Sequence, residues 1–373
     1  MITKTIIPKY YFILGVLFIC FSGFHAYKSW QTHEIFNDVN KASQAISYLL
    51  EAAGNWAVER GITNTALNSK TVITPERKDK ILQRRQAADS ALRNALREVA
   101  TLNFVRKDQY IEEVKYVAKN TELLRNKADK QVTLTRSLRD QRFIERWIPS
   151  MTRLITISQI LRQAITQKAA SVNGELGRQE RAKHYVWKMS EYAGKVRAIV
   201  GALISSHSPI DGKTHQVLSE YHGYVLSAFE EVKTLTKDKD ATVVRDLEYV
   251  ENGFFGSFND LRQSIIKAGL DGVQYPIDSS KWIELSTQEI DKMLAVQHSL
   301  RAETETYTER LLDESLYQLI ISVILLVFSF VIFLASSFGA RARQQDEVEM
   351  PSEPATNRPK SRPASFDESR KTG

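Results

Sequence analysis

Two long apolar segments, one near each end, decide most of what this chain can become. The first runs from about Tyr10 to Ala26 and the second from about Leu319 to Phe338, and neither holds a charged residue. Roughly 20 apolar residues rising about 1.5 Å each cover a bilayer core of about 30 Å. The sequence between them is mostly polar, so the pattern predicts a large domain displayed on one side of a membrane. Phe24 stands where a signal peptidase cutting after Ala26 would need a small residue, which favours an uncleaved anchor. Lys4 and Lys9 precede the first segment and Arg341 and Arg343 follow the second, which places both termini in the cytoplasm. The expected order is a cytoplasmic N-terminus (1–9), a first span (10–27), an extracytoplasmic helical domain (28–315), a second span (316–340) and a cytoplasmic tail (341–373). In a Gram-negative bacterium the spans would sit in the inner membrane and the domain in the periplasm.

The tail carries Pro351, Pro354, Pro359 and Pro363 among serines, acids and lysines, and reads as disordered. It has no room for a kinase, a cyclase or a methylated coiled coil. A sensor of this outline would signal through a separate protein, unless the chain is a truncated receptor.

Composition removes several alternatives. The formal net charge of +7 comes from bases interspersed with acids, which describes a solvated surface, so no nucleic-acid partner is expected. The single cysteine, Cys20, lies inside the first apolar segment, so the domain must stand on packing without a disulfide. The seven histidines include no pair at metal-ligand spacing; His215 and His222 come nearest, with His207 across a turn. No phosphate loop, nucleophile elbow or catalytic cysteine context is present, so the chain reads as a non-enzyme that needs no cofactor.

Between the spans the apolar residues recur at three and four, as in Val243, Leu247, Val250, Phe254, Phe258, Leu261 and Ile265, which is the helical period. Breaks at Thr74-Pro75, Ser208-Pro209 and Tyr275-Pro276 divide the domain. The resulting map has helices from the first span to Ser69, over 75–101, 107–146, 149–206, 214–236 and 240–268, and from Ser279 into the second span. Helices this long predict an all-α fold of two stacked antiparallel four-helix bundles, sharing the 149–206 helix. Trp56, Trp147, Trp187 and Trp282 fall at apolar positions and are expected in the core.

One pattern is left over. A glutamate followed by a glycine and then an arginine recurs in Glu51-Ala52-Ala53-Gly54 to Arg60, in Glu175-Leu176-Gly177 to Arg181, and in Glu191-Tyr192-Ala193-Gly194 to Arg197. Glycine inside a helix loses about 0.5–1 kcal/mol against alanine, so its reuse calls for close helix approach or a pocket. The strings Glu59-Arg60-Gly61, Glu180-Arg181-Ala182 and Trp282 with Thr287 to Asp291 resemble the motifs of the nitrate- and nitrite-sensing family of bacterial receptors and regulators. The resemblance covers about 28–313. It implies a helical domain of two four-helix bundles, with nitrate or nitrite held between long helices against arginines.

Arg60 is then the first expected ligand-binding residue, supported by Glu59, Gly61, Gly54 and Gly194. The second is Arg181 or Arg197, which lie about 160° apart around a 3.6-residue helix, so that only one can face Arg60. Arg197 has the more apolar neighbours, and Arg181 has the intact motif; both stay candidates. The expected partners are a small anion, a separate signalling protein, the membrane and a second copy of the chain. The competing reading is a helical membrane scaffold or protein-interaction subunit whose pocket has decayed.

Overall fold

The structure is a computed structural model that describes residues 3–238 and 240–349, with side chains described over 12–238 and 240–338. Every regular element among the described residues is helical: α1 (Thr3–Asn68), α2 (Pro75–Thr101), α3 (Lys107–Gln131), α4 (Gln141–Val172), α5 (Gly174–Ser206), α6 (Gly212–Leu235), α7 (Ala241–Asn252), α8 (Phe258–Leu270) and α9 (Ser279–Glu349). A 3-10 turn, Arg136–Leu138, precedes α4, and a π-helical segment, Gly253–Ser257, joins α7 to α8.

Local chemistry sets the boundaries. Thr74 caps α2 by accepting from the Arg77 amide, with Pro75 at the first helical position. Asp140, Asn173, Asp211 and Asp240 cap α4 to α7 by accepting from amides two or three residues on. The end of α1 is closed from a distance. Arg139 donates to the carbonyls of Ala66, Leu67, Ser69 and Thr71, so one guanidinium satisfies the orphan acceptors of a helix terminus.

Three expected helices are corrected. The helix expected over 107–146 stops at Gln131, and α4 begins at Gln141 rather than at Pro149. Asp140 supplies the cap 3.1 Å from the Phe143 amide, and Pro149 is carried inside α4. The single helix expected over 149–206 is two, because Asn173 adopts an extended conformation (φ −144°, ψ 120°) and caps α5. The segment read as 240–268 is interrupted by the π-segment, where Gly256 leaves helical geometry (φ −94°, ψ −113°). At the other end, α9 runs on to Glu349 through residues read as disordered tail. The run Arg341 to Glu349 is rich in good helix formers and has no proline, which explains the extension. The rest of that tail lies outside the described residues.

The chain divides into two units, residues 30–317 and a unit made of 1–29 with 318–373. In the second of these the apolar segments of α1 and α9 lie antiparallel. Phe12 meets Phe333 with ring centroids 5.2 Å apart, Ser22 and Ser329 share a 2.8 Å hydrogen bond, and Ser322 bonds both His25 and Ser29. Both helices are long and apolar enough to cross a membrane, and Leu14, Phe21, Ile324 and Phe328 are among many apolar side chains left exposed.

In the 30–317 unit the buried apolar residues form two clusters. One is built mainly by α1 to α4 around Trp56, Trp147 and Leu161, with Leu176 of α5 joining it, and the other by α5 to α9 around Met189, Phe229 and Trp282.

Candidate functional site

Helices α1 and α5 run parallel where the site forms. Ser43 meets Glu180 at one level, and further along both chains Arg60 meets Glu191 while Gly61 faces Arg197. Glycines stand on both sides of this crossing: a Cβ at Gly61 on α1 would meet Arg197, and one at Gly194 on α5 would approach Arg60. Two long side chains then enter the seam from opposite helices.

Arg60 is 1% exposed and donates three side-chain hydrogen bonds. Its Nη1 and Nη2 donate to the two carboxylate oxygens of Glu191 at 2.8 and 3.0 Å, and Nη1 also donates to Thr152 Oγ1 on α4 at 2.9 Å. Its backbone carbonyl accepts from the Trp147 indole at 3.0 Å. This is the bidentate fork that a guanidinium offers any planar oxyanion.

Arg197 repeats the scaffold without the carboxylate. It is 3% exposed, its Nη1 donates to Thr287 Oγ1 on α9 at 2.9 Å, and its carbonyl accepts from the Trp282 indole at 3.0 Å. Among the described residues no carboxylate forms an ion pair with it. Its Nη2 and Nε lie over Gly61, where an added Cβ would come within 3.2 and 3.7 Å. Glycine is thus the residue that makes room for this guanidinium.

The electrostatics follow from that asymmetry. Burial first, and then the neighbouring Arg60 charge, lower the Arg197 pKa to about 10 against the pull of Asp291. Lys195, beside Glu191, is also lowered, first by burial, with Glu191 opposing. Burial pushes Asp291 up while Arg84 and Arg197 hold it down. At neutral pH Arg197 is still protonated, so Arg60, Arg197 and Lys195 gather around one buried carboxylate, Glu191. A small anion entering this seam would find positive charge already in place and already desolvated.

The predicted residues divide as follows. Arg60 and Arg197 are brought together, with Gly61 under Arg197 and Gly194 beside Arg60, 3.9 Å from Nη2 to an added Cβ. Arg181 is exposed on α5 and is not brought to them, in keeping with its angular offset from Arg197. Glu59 is fully buried but turns to α2 and α3, where it accepts from Arg85 and Arg125, and these pair with Asp129 and Asp89. It is a structural ion-pair centre behind the site. Gly54 has open space where a Cβ would stand. Glu191, Thr152, Thr287 and the two indoles were not singled out for the site. One signal was available: Arg146-Trp147-Ile148 followed by Thr152 recurs as Lys281-Trp282-Ile283 followed by Thr287, at the same spacing.

Comparison with known proteins gives two matches. The family model described as nitrate and nitrite sensing matches residues 51–305, a stretch that contains both arginines, both tryptophans and both threonines. Among solved structures the chain is similar to the NasR transcription antiterminator, with a TM-score of 0.62, 14% identity and 84% of each chain covered. At that identity the likeness speaks for the helical fold. No curated protein matches the sequence.

Proposed function

The chain belongs to the nitrate and nitrite sensing family, and on that footing we propose that it is a membrane-anchored sensor that binds nitrate or nitrite between Arg60 and Arg197. The observation that carries this reading is the buried Arg197 guanidinium, held beside a second arginine with Thr287 as its one side-chain hydrogen-bond partner among the described residues. Nitrate is a planar monoanion, and its oxygens match the free edge of such a fork. Glu191 takes the place on Arg60 that an oxyanion could share. Binding would draw Arg197 and Arg60 onto one ligand and fix the register of α1 against α5. A ligand shifts such an equilibrium only by its difference in affinity for the two registers.

The two hydrophobic clusters support reading the domain as two stacked four-helix bundles with the ligand seam between α1 and α5. Exposed apolar side chains on the paired segments of α1 and α9 support a two-pass anchor in the bacterial inner membrane, with 28–315 in the periplasm. α9 contributes Thr287 to the site and also carries the apolar segment 319–338, which makes it the proposed route to a separate signalling partner. The chain is expected to act as a homodimer and to have no enzymatic role.

Calorimetric titration of the full-length chain in detergent with nitrate and nitrite tests the site. A saturable heat is expected, weakened at least about thirtyfold by Arg197→Gln, since truncating one partner of a buried charged contact removes about 2 kcal/mol or more. No heat from either anion, or an Arg197→Gln variant that binds as well as the parent, would overturn it. Glu191 already occupying Arg60 favours one second reading, a scaffold whose pocket has closed. That reading predicts no anion binding and a protein partner that co-purifies regardless of Arg197.

A further inference from the structure

Another buried arginine, far along the chain from Arg197, has a single neutral side chain as its hydrogen-bond partner among the described residues. Most of the buried arginines are accounted for: Arg60 by Glu191, Arg125 by Glu59 and Asp89, Arg139 by backbone carbonyls, and Arg162 by Gln159 and His184. Arg262 on α8 is 7% exposed, and its hydrogen bonds go to a neutral acceptor, Asn259 Oδ1, from Nη2 at 2.7 Å and Nε at 3.3 Å. Among the described residues no carboxylate forms an ion pair with it. A desolvated guanidinium without a counter-charge is unfavourable unless something else neutralises it.

Arg262 lines a cavity of about 340 Å³ between α6 and α8, within the size range of small-molecule sites. His222 and His215 form the α6 wall, Ile266 and Leu270 give an apolar side, and Lys267 and Asp271 stand beside them. The π-segment backs this wall. By placing Phe254 and Phe255 with their ring centroids 6.4 and 6.3 Å from the His222 imidazole, it fixes that ring at the cavity. Single π-helical turns inside α-helices recur at functional sites for this reason: they re-aim side chains that a regular helix would spread apart.

We propose that this cavity binds a small monocarboxylate with a short aliphatic body, its carboxylate on the Arg262 fork and its carbons against Ile266 and Leu270. The charges fit a monoanion, because Lys267 and Asp271 offset each other and leave Arg262 as the surplus. A neutral His222 adds a hydrogen-bond donor without a second charge, and burial together with Arg262 holds its pKa down at about 4. A planar fork with one net positive charge suits a carboxylate better than a dianionic phosphate.

Butyrate, acetate and inorganic phosphate titrated into the full-length chain in detergent, followed by saturation-transfer NMR and calorimetry, test the assignment. Butyrate should bind saturably and more tightly than acetate, and phosphate should not compete with it. Arg262→Gln should weaken butyrate at least about tenfold and leave the nitrate titration unchanged. Conversely, Arg197→Gln should leave butyrate binding unchanged, so failure here is separable from failure of the nitrate site. His222→Phe, which keeps the aromatic packing, should weaken butyrate by a smaller factor and covers the case in which Arg262→Gln does not fold. No saturation up to about 10 mM butyrate, equal binding by Arg262→Gln, or displacement of butyrate by phosphate would each overturn the proposal.

Discussion

Arg60 and Arg197 reach the same seam from parallel helices, each with an indole on its carbonyl and a threonine on its Nη1, yet only Arg60 meets a carboxylate. The shared scaffold ties the backbone of each arginine to an indole and gives each guanidinium a threonine oxygen to donate to. What differs is the electrostatic state. Arg60 is half of a buried ion pair, so it belongs to the stability of the fold. Arg197 is a buried charge that the fold tolerates, which is the condition expected of a group reserved for a ligand. Held in place and only partly offset by Asp291 and Glu191 from a distance, it keeps a charge that an anion could pair with directly.

The largest test of this contrast is stability without ligand. Arg60→Met leaves Glu191 buried beside Lys195 without its fork, and should destabilise the domain by about 3–5 kcal/mol. Arg197→Met removes a buried cation that has no ion pair among the described residues and should leave the thermal midpoint unchanged or raised. Adding Glu191→Met to Arg60→Met should restore much of the lost stability while nitrate binding stays absent. Thermal unfolding of the four proteins reads the comparison directly, and equal losses from the two single variants would break it.

A smaller effect follows from protonation. The Arg197 pKa lies below that of a free guanidinium, at about 10. Its charged form is thus disfavoured in the folded state, so the burden it places on stability is present below about pH 10 and is relieved as pH rises through that value. Anion binding needs the charged form. Nitrate affinity should therefore be flat from about pH 6 to 9 and fall above about 10. Asp291, pushed up by burial, acts in the same sense at the acid end: once protonated it leaves the seam more positive, so affinity should rise modestly there. Calorimetry across the pH range measures both limbs, and an affinity already falling at pH 8 would show that another group governs the site.

How much of this was legible in the sequence depends on the range of the interaction. The helical class, the ends of α2 and the start of α9 came from short-range signals: the 3.6 period, the Thr74-Pro75 cap and the break at Tyr275-Pro276. The Asn173 break is equally local, but a capping asparagine weighs little against strong periodicity on both sides. The glycine–arginine strings pointed to Arg60, Arg181 and Arg197 because glycine in a helix interior is locally unfavourable and so stands out, and they left open which of the last two faces Arg60. Glu191 was visible only as the head of one such string, since nothing local shows that its carboxylate crosses to α1. Thr152 and Thr287 reach the arginines across the domain, and only the paired Trp147 and Trp282 strings hinted at it. Glu59 shows the reverse error: its motif position suggested the pocket, but on α1 it is adjacent to Arg60 and turns to α2 and α3.

The finest test of the two arms is a single methyl group placed on each side. A Cβ at Gly61 would press on Arg197 Nη2 at 3.2 Å, tighter than ordinary van der Waals contact, whereas at Gly194 it would sit 3.9 Å from Arg60 Nη2. Both glycines lie inside helices, so alanine should add about 0.5–1 kcal/mol of helix stability at either position before any clash is counted. Gly194→Ala should therefore stabilise the domain and leave nitrate affinity nearly unchanged. Gly61→Ala should gain less, because the buried Arg197 guanidinium has to shift by a few tenths of an ångström, and that shift should weaken nitrate several-fold. The two variants differ from the parent by the same atom count and the same helix propensity, so any difference between them reports the space reserved for Arg197. If both alanines bind nitrate alike, the room over Gly61 serves packing and the asymmetry between the arms does not extend to the ligand.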